Sequence, residues 1–100
     1  MTIHFEYDDV KASERLEDMV TKRLNKLLDK FDFLVKADVF FRRENTSSPD
    51  TGRICNIRLS LPGPLLFAEA SNGSFEASIA ESIDDLERQL RKRKGKMQSH

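Results

Sequence analysis

One hundred residues are enough for one domain with a single core, and 38% hydrophobic against 34% charged residues describe a folded chain rather than a disordered one. No apolar run approaches the roughly 20 residues that cross a bilayer, the N-terminal MTIHFEYDD lacks a secretory layout, and one cysteine excludes an intramolecular disulfide; a cytoplasmic chain without membrane contact is expected. Seventeen basic and 17 acidic residues cancel to zero net charge, which by itself argues against a nucleic-acid binder.

Ile3, Phe5 and Tyr7 alternate with His4 and Glu6, so residues 2–7 are expected to form a strand with one buried face. Ser13 suits an N-cap, and Leu16, Met19, Val20, Leu24, Leu27 and Phe31 then recur at helical spacing, predicting an amphipathic helix over 14–31. Ala37, Val39 and Phe41 alternate with Asp38, Phe40 and Arg42 and predict a second strand at about 35–43. The polar stretch ENTSSPDTG (44–52) has the composition of a mobile hairpin loop. Cys55, Ile57, Leu59 and Leu61 mark the inner face of a third strand, Pro62-Gly63-Pro64 a tight connection, and 65–71 a fourth strand. Asn72-Gly73-Ser74 ends that strand and caps a last helix, whose stripe is Phe75, Ile79, Ile83, Leu86 and Leu90.

Two amphipathic helices cannot bury their stripes alone. The expected fold is therefore an α/β (α+β) two-layer sandwich, β-α-β-β-β-α, with both helices on one face of a four-stranded sheet. Residues 1–100 form one domain, and three antiparallel strands followed by a helix resemble a double-stranded RNA-binding fold.

Catalytic constellations are missing. His4 and His100 lack companions at metal-ligand spacing, Cys55 occupies an inward strand position, and Gly52, Gly63, Gly73 and Gly95 are isolated rather than gathered into a phosphate-cradling loop. No enzyme, metal, cofactor or small-molecule substrate is expected.

Basic residues instead gather in clusters. Arg23, Lys26 and Lys30 form one ridge on the first helix, with Lys22 and Arg15 nearby, while Arg42, Arg43, Arg53 and Arg58 lie on the central hairpin. On the last helix the charges from Glu76 to Glu87 are all acidic, and those from Arg88 to Lys96 (Arg88, Arg91, Lys92, Arg93, Lys94, Lys96) are all basic. Complementing the helix dipole would take two or three such charges, each worth about 0.3–1 kcal/mol, so this run exceeds that purpose. Arg93 stands where the apolar stripe should continue from Leu90 to Met97. Its head either points into a gap beside the first helix or toward a partner, or its stem lies on the stripe while the head reaches water. The patch suits phosphate contact, with a steep salt dependence. Phe40, expected on the other sheet face, offers stacking or a dimer contact.

The helix-sheet order, LNKLLDKF (24–31) and FAEASNGSFEASIAESIDDLERQLRKRKGKM (67–97) resemble the ribosome hibernation promoting factors, also called sigma-54 modulation or ribosome-associated inhibitor proteins, over nearly the whole chain. The most specific part is IDDLERQLRKRKGKM. The resemblance implies a bacterial cytosolic protein, monomeric off the ribosome, that binds the small ribosomal subunit and its rRNA. It would occupy the channel between head and body, keep out mRNA, tRNA and initiation factors during growth arrest, and have a part in forming ribosome dimers. The positions matching the family's rRNA contacts are Arg23, Lys26, Arg88, Gln89, Lys92, Lys94 and Lys96, with Arg91 and Arg93 as looser matches; Lys30 joins them by its ridge position. The basic helix end spans 88–97, and the absence of a second domain resembles the short form. Two other readings compete: a module for free duplex RNA, and a protein-interaction module that regulates a sigma factor or self-associates through the sheet face around Phe40.

Overall fold

The computed structural model describes residues 1–98, with side chains placed through Arg93. The element order is β1 (Thr2–Asp8), α1 (Glu14–Lys30), β2 (Lys36–Arg43), β3 (Arg53–Ser60), β4 (Leu65–Asn72) and α2 (Phe75–Gln98). The strands form one four-stranded sheet in the order β1-β2-β3-β4. β1 pairs parallel with β2, and the remaining pairs are antiparallel. This is the expected two-layer architecture.

Local chemistry sets the boundaries. Ser13 adopts an extended backbone and its hydroxyl accepts from Leu16 N at 3.3 Å, starting α1. Phe31 caps the other end, its N–H donating to Leu27 O at 2.8 Å. The Ser74 hydroxyl accepts from Ala77 N at 3.2 Å and starts α2. β3 begins at Arg53, two residues before Cys55, the first of its inner-face residues expected from sequence. The ladder is closed one step further by Glu44 N–H donating to Gly52 O, and Gly52, at φ +104°, supplies the left-handed turn.

The 44–52 loop carries hydrogen bonds of its own. Thr46 Oγ1 donates to Ser48 O at 2.7 Å, Gly52 N–H donates to the Ser71 hydroxyl at 2.9 Å, and the loop rests on Gly73, where a Cβ would come within 2.6 Å of Pro49 O.

Both helices cover the face defined by Ala37, Val39 and Phe41 on β2 and Cys55, Ile57 and Leu59 on β3. From above, Val20, Leu24 and Leu27 of α1 and Ile79, Ile83, Leu86 and Leu90 of α2 complete the core. Phe41 anchors one end, stacked on Tyr7 at 5.4 Å and edge-on to Phe75 at 5.6 Å. Buried Ser78 and Ser82 let α2 approach closely while their hydroxyls donate to the carbonyls of Arg53 and Cys55.

The helices run parallel to each other. Arg15, at the start of α1, pairs with Glu76, at the start of α2, at 3.2 Å, and Lys30, at the end of α1, pairs with Glu87 at 3.2 Å. A strand of eight residues spans about 26 Å, whereas the 24 residues of α2 span about 36 Å. The last turns of α2 therefore run past the sheet, within an overall shape of 49 × 24 × 19 Å.

Leu86 is fully buried beneath α2. Leu86→Ala should destabilise the domain by about 2–5 kcal/mol in urea unfolding, through the cavity it leaves.

Candidate nucleic-acid interface

Parallel packing brings the C-terminal halves of both helices to one end of the molecule. Between them runs a groove of about 550 Å³, walled by Lys22, Arg23, Lys26, Asp29 and Lys30 of α1 and by Asp84 and Glu87 of α2, with Met19, Leu27 and Ile83 lining its apolar part. The acids Glu14, Glu17 and Glu76 lie in the first turns of the two helices, at the other end. The neutral total thus conceals a cluster of cations, a basic pole, at the groove's end of the molecule. Lys30, in the last turn of α1, also meets the negative end of that helix's dipole.

Within the basic pole the cations divide into engaged and free. Glu87 is the partner of Lys30 across the groove and of Arg91 one turn along α2. Arg88 lies 3.7 Å from Asp85. Gln89 donates to Phe67 O of β4 at 2.9 Å and to Asp85 at 3.3 Å, so its amide holds α2 against the sheet edge. Among the described residues, Arg23, Lys26 and Lys92 have no ion pair; Lys26 and Lys92 are exposed and Arg23 half-buried. The side chains of Lys94, Lys96 and Met97 lie outside the described ones.

Arg93 answers the break in the α2 stripe. It is half-buried and lines a cavity of about 50 Å³ with Phe33, Leu61 and Pro62, at the end of the core where the α1–β2 and β3–β4 connections meet. Leu90 before it is fully buried. A long stem over apolar surface with a charged head at the rim suits a helix leaving its sheet. The apolar surface is supplied by the connections, which the α2 stripe alone does not reveal.

The open sheet face has a different character. Phe40 is there as expected, with the Arg58 guanidinium 5.3 Å from its ring centroid. The neighbouring charges pair with one another: Lys36 with Asp38 at 3.6 Å, and Arg42 with Glu69 at 3.8 Å and Glu44 at 3.9 Å. Phe67 and Leu65 are exposed at its β4 edge. This face is internally neutralised, unlike the helix ends. Cys55 is fully buried, and burial pushes its thiol from 9.0 up to about 12, so it is no nucleophile at neutral pH. Among the described residues, no group of three or more His, Cys, Asp and Glu could hold a metal ion, and no helix is long and apolar enough to cross a membrane.

Sequence reasoning missed the role of Glu87. Its spacing to Arg91 is visible as an i, i+4 pair, but its partner Lys30 is 57 residues away and emerges only from helix packing.

Comparison with known proteins adds an independent line. The family model described as "Sigma 54 modulation protein / S30EA ribosomal protein" matches residues 3–98. A Pseudomonas putida protein named ribosome hibernation promoting factor is 27% identical over 99 residues, covering 99% of this chain and 92% of the relative. A ribosomal subunit interface protein from Coxiella burnetii superposes with a TM-score of 0.80 at 22% identity, covering 95% of this chain and 99% of that one. The N-terminal domain of Protein Y from Thermus thermophilus gives a TM-score of 0.71 at 22% identity, covering 91% and 93%.

Glu87→Gln should release Lys30 and Arg91. Elution from a heparin column should move to higher salt, while stability falls by no more than about 1 kcal/mol because Lys30 and Arg91, the cationic ends of the pairs, are exposed. Unchanged elution would show that Glu87 does not restrain them. Cys55 should resist alkylation at pH 8 in the folded chain and react on unfolding. As pH rises from 9.0 toward about 12, the unfolded thiol ionises while the folded one keeps its proton, so stability should fall across that window in alkaline unfolding curves.

Proposed function

The chain belongs to the sigma 54 modulation protein / S30EA ribosomal protein family, and from that premise we propose that it is a ribosome hibernation factor acting in the cytoplasm. Residues 1–100 act as a single ribosome-binding domain, and the basic helix end at 88–97 is a principal contact. The protein binds the small subunit at the decoding channel, covers the mRNA and tRNA sites during growth arrest, and favours ribosome dimer formation. It works by occupancy rather than chemistry.

The observation that carries this reading is the convergence of the C-terminal halves of the two helices on one pole, where Arg23, Lys26 and Lys92 form no ion pair among the described residues. Such cations can pass to phosphates without first giving up a partner. Lys30, Arg88 and Arg91 would exchange carboxylates for phosphates, a smaller gain. Gln89 contributes by fixing α2 on the sheet edge and thereby aiming the basic turns. Arg93 extends the patch from the rim of the core, and Lys94 and Lys96 continue it in sequence.

Neutralising about six phosphates would lower affinity on the order of 10³-fold between 50 and 200 mM salt. Cosedimentation with purified small subunits across that range should show this fall. The double variant Lys26→Glu with Lys92→Glu, folded by circular dichroism, should lose binding even at low salt. Retained binding by the folded variant would contradict the proposed contact. Binding insensitive to salt would favour a protein-interaction role for the open sheet face, on which Phe67 and Leu65 are exposed.

A further inference from the structure

A second cationic feature lies at the opposite pole. Arg43, the last residue of β2, is paired in register with Arg53, the first residue of β3. By the alternation of the strands both share the face of Phe41 and Cys55, the face that carries the helices. Like charges placed directly opposite in a ladder destabilise it. Among the described residues neither arginine has an ion pair or side-chain hydrogen bond that would relieve the repulsion. The nearest carboxylate in sequence, Glu44, is directed to Arg42 at 3.9 Å.

Both arginines line a cleft of about 420 Å³ formed with the 44–52 loop, together with Thr46, Ser47, Ser48 and Thr51 and with Glu44, whose carboxylate pairs with Arg42. The hydroxyls of Thr46 and Thr51 donate within the loop. Ser48 Oγ accepts from Asp50 N at 3.2 Å, which leaves its proton free to donate outward. The cleft is preformed, because Pro49 packs on Gly73 too closely to admit a Cβ.

We propose that Arg43 and Arg53 together hold one phosphate group in this cleft. Two guanidinium forks and a hydroxyl donor offer more hydrogen bonds than a carboxylate can accept, and they suit a tetrahedral oxyanion. The bound charge would also offset the repulsion across the ladder. An RNA backbone phosphate is the source that the proposed function would supply, and in that form the inference rests on that function. Free phosphate offers the same chemistry and does not depend on it.

Thermal melting of the full chain in inorganic phosphate and in chloride at matched ionic strength tests the site without ribosomes. Phosphate strengthens burial in many proteins, so the reading is the difference between the wild type and the variants Arg43→Gln and Arg53→Gln. The wild type should gain more from phosphate than either variant, and each variant should melt higher than the wild type in chloride. In a phosphate titration followed by NMR, the Nε–Hε signals of Arg43 and Arg53 should shift together. Equal phosphate responses in all three proteins, or static arginine signals, would overturn the assignment. With the phosphate response in hand, a several-fold loss of small-subunit cosedimentation by Arg53→Gln identifies an RNA phosphate, and unaltered cosedimentation identifies free phosphate as the ligand. Failure of all subunit binding would count against the proposed function and leave the phosphate response standing.

Discussion

The direction of the chain through the sheet determines where the charges end. β1 and β2 run the same way, and two antiparallel steps bring β4 back to that direction. Each helix follows one of these like-directed strands and returns over the same face, so α1 and α2 must run parallel. Their C-terminal halves meet at one pole and their N-terminal halves at the other. A basic C-terminal half on each helix then becomes one surface, although Arg23 and Lys92 are 69 positions apart in the chain.

This placement reconciles a neutral chain with the polyanion-binding surface proposed for it. Opposite charges beyond about 8 Å are screened at physiological salt, so a long molecule with separated poles presents each pole on its own terms. The open sheet face is different again, because its charges pair locally and its aromatic Phe40 is already covered by Arg58. The structure therefore separates a surface with unpaired cations from one whose charges pair locally. Glu87 tempers the first by holding two of its cations, which keeps Lys30 and Arg91 positioned while lowering the pole's free charge.

Much of the architecture was legible before any coordinates. Leu16, Val20, Leu24 and Leu27 announce α1, and the alternation of Ala37, Val39 and Phe41 against Cys55, Ile57 and Leu59 announces a one-faced sheet, because burial on one side leaves a period in the sequence. What was illegible depended on register and on distant partners. The sequence places Arg43 and Arg53 on the central hairpin but not opposite each other, since the ladder's closing step is made by backbone groups of Glu44 and Gly52 that carry no side-chain signal. Gln89 matches a family position for rRNA contact, and the bond of its amide to Phe67 O on the β4 edge depends on packing that the sequence does not show. Arg93 looked like an interruption of the stripe because Phe33, Leu61 and Pro62, which line its cavity, come from two separate connections.

The most direct test of the basic pole as the ribosome contact is a lysine acetylation footprint of the chain, free and bound to small subunits. Lys22, Lys26, Lys30 and Lys92 should be shielded on binding. Lys11, before α1, and Lys36, at the start of β2, should stay reactive. Shielding of Lys11 and Lys36 with the helix lysines still reactive would contradict the account and turn the binding surface to another side of the molecule.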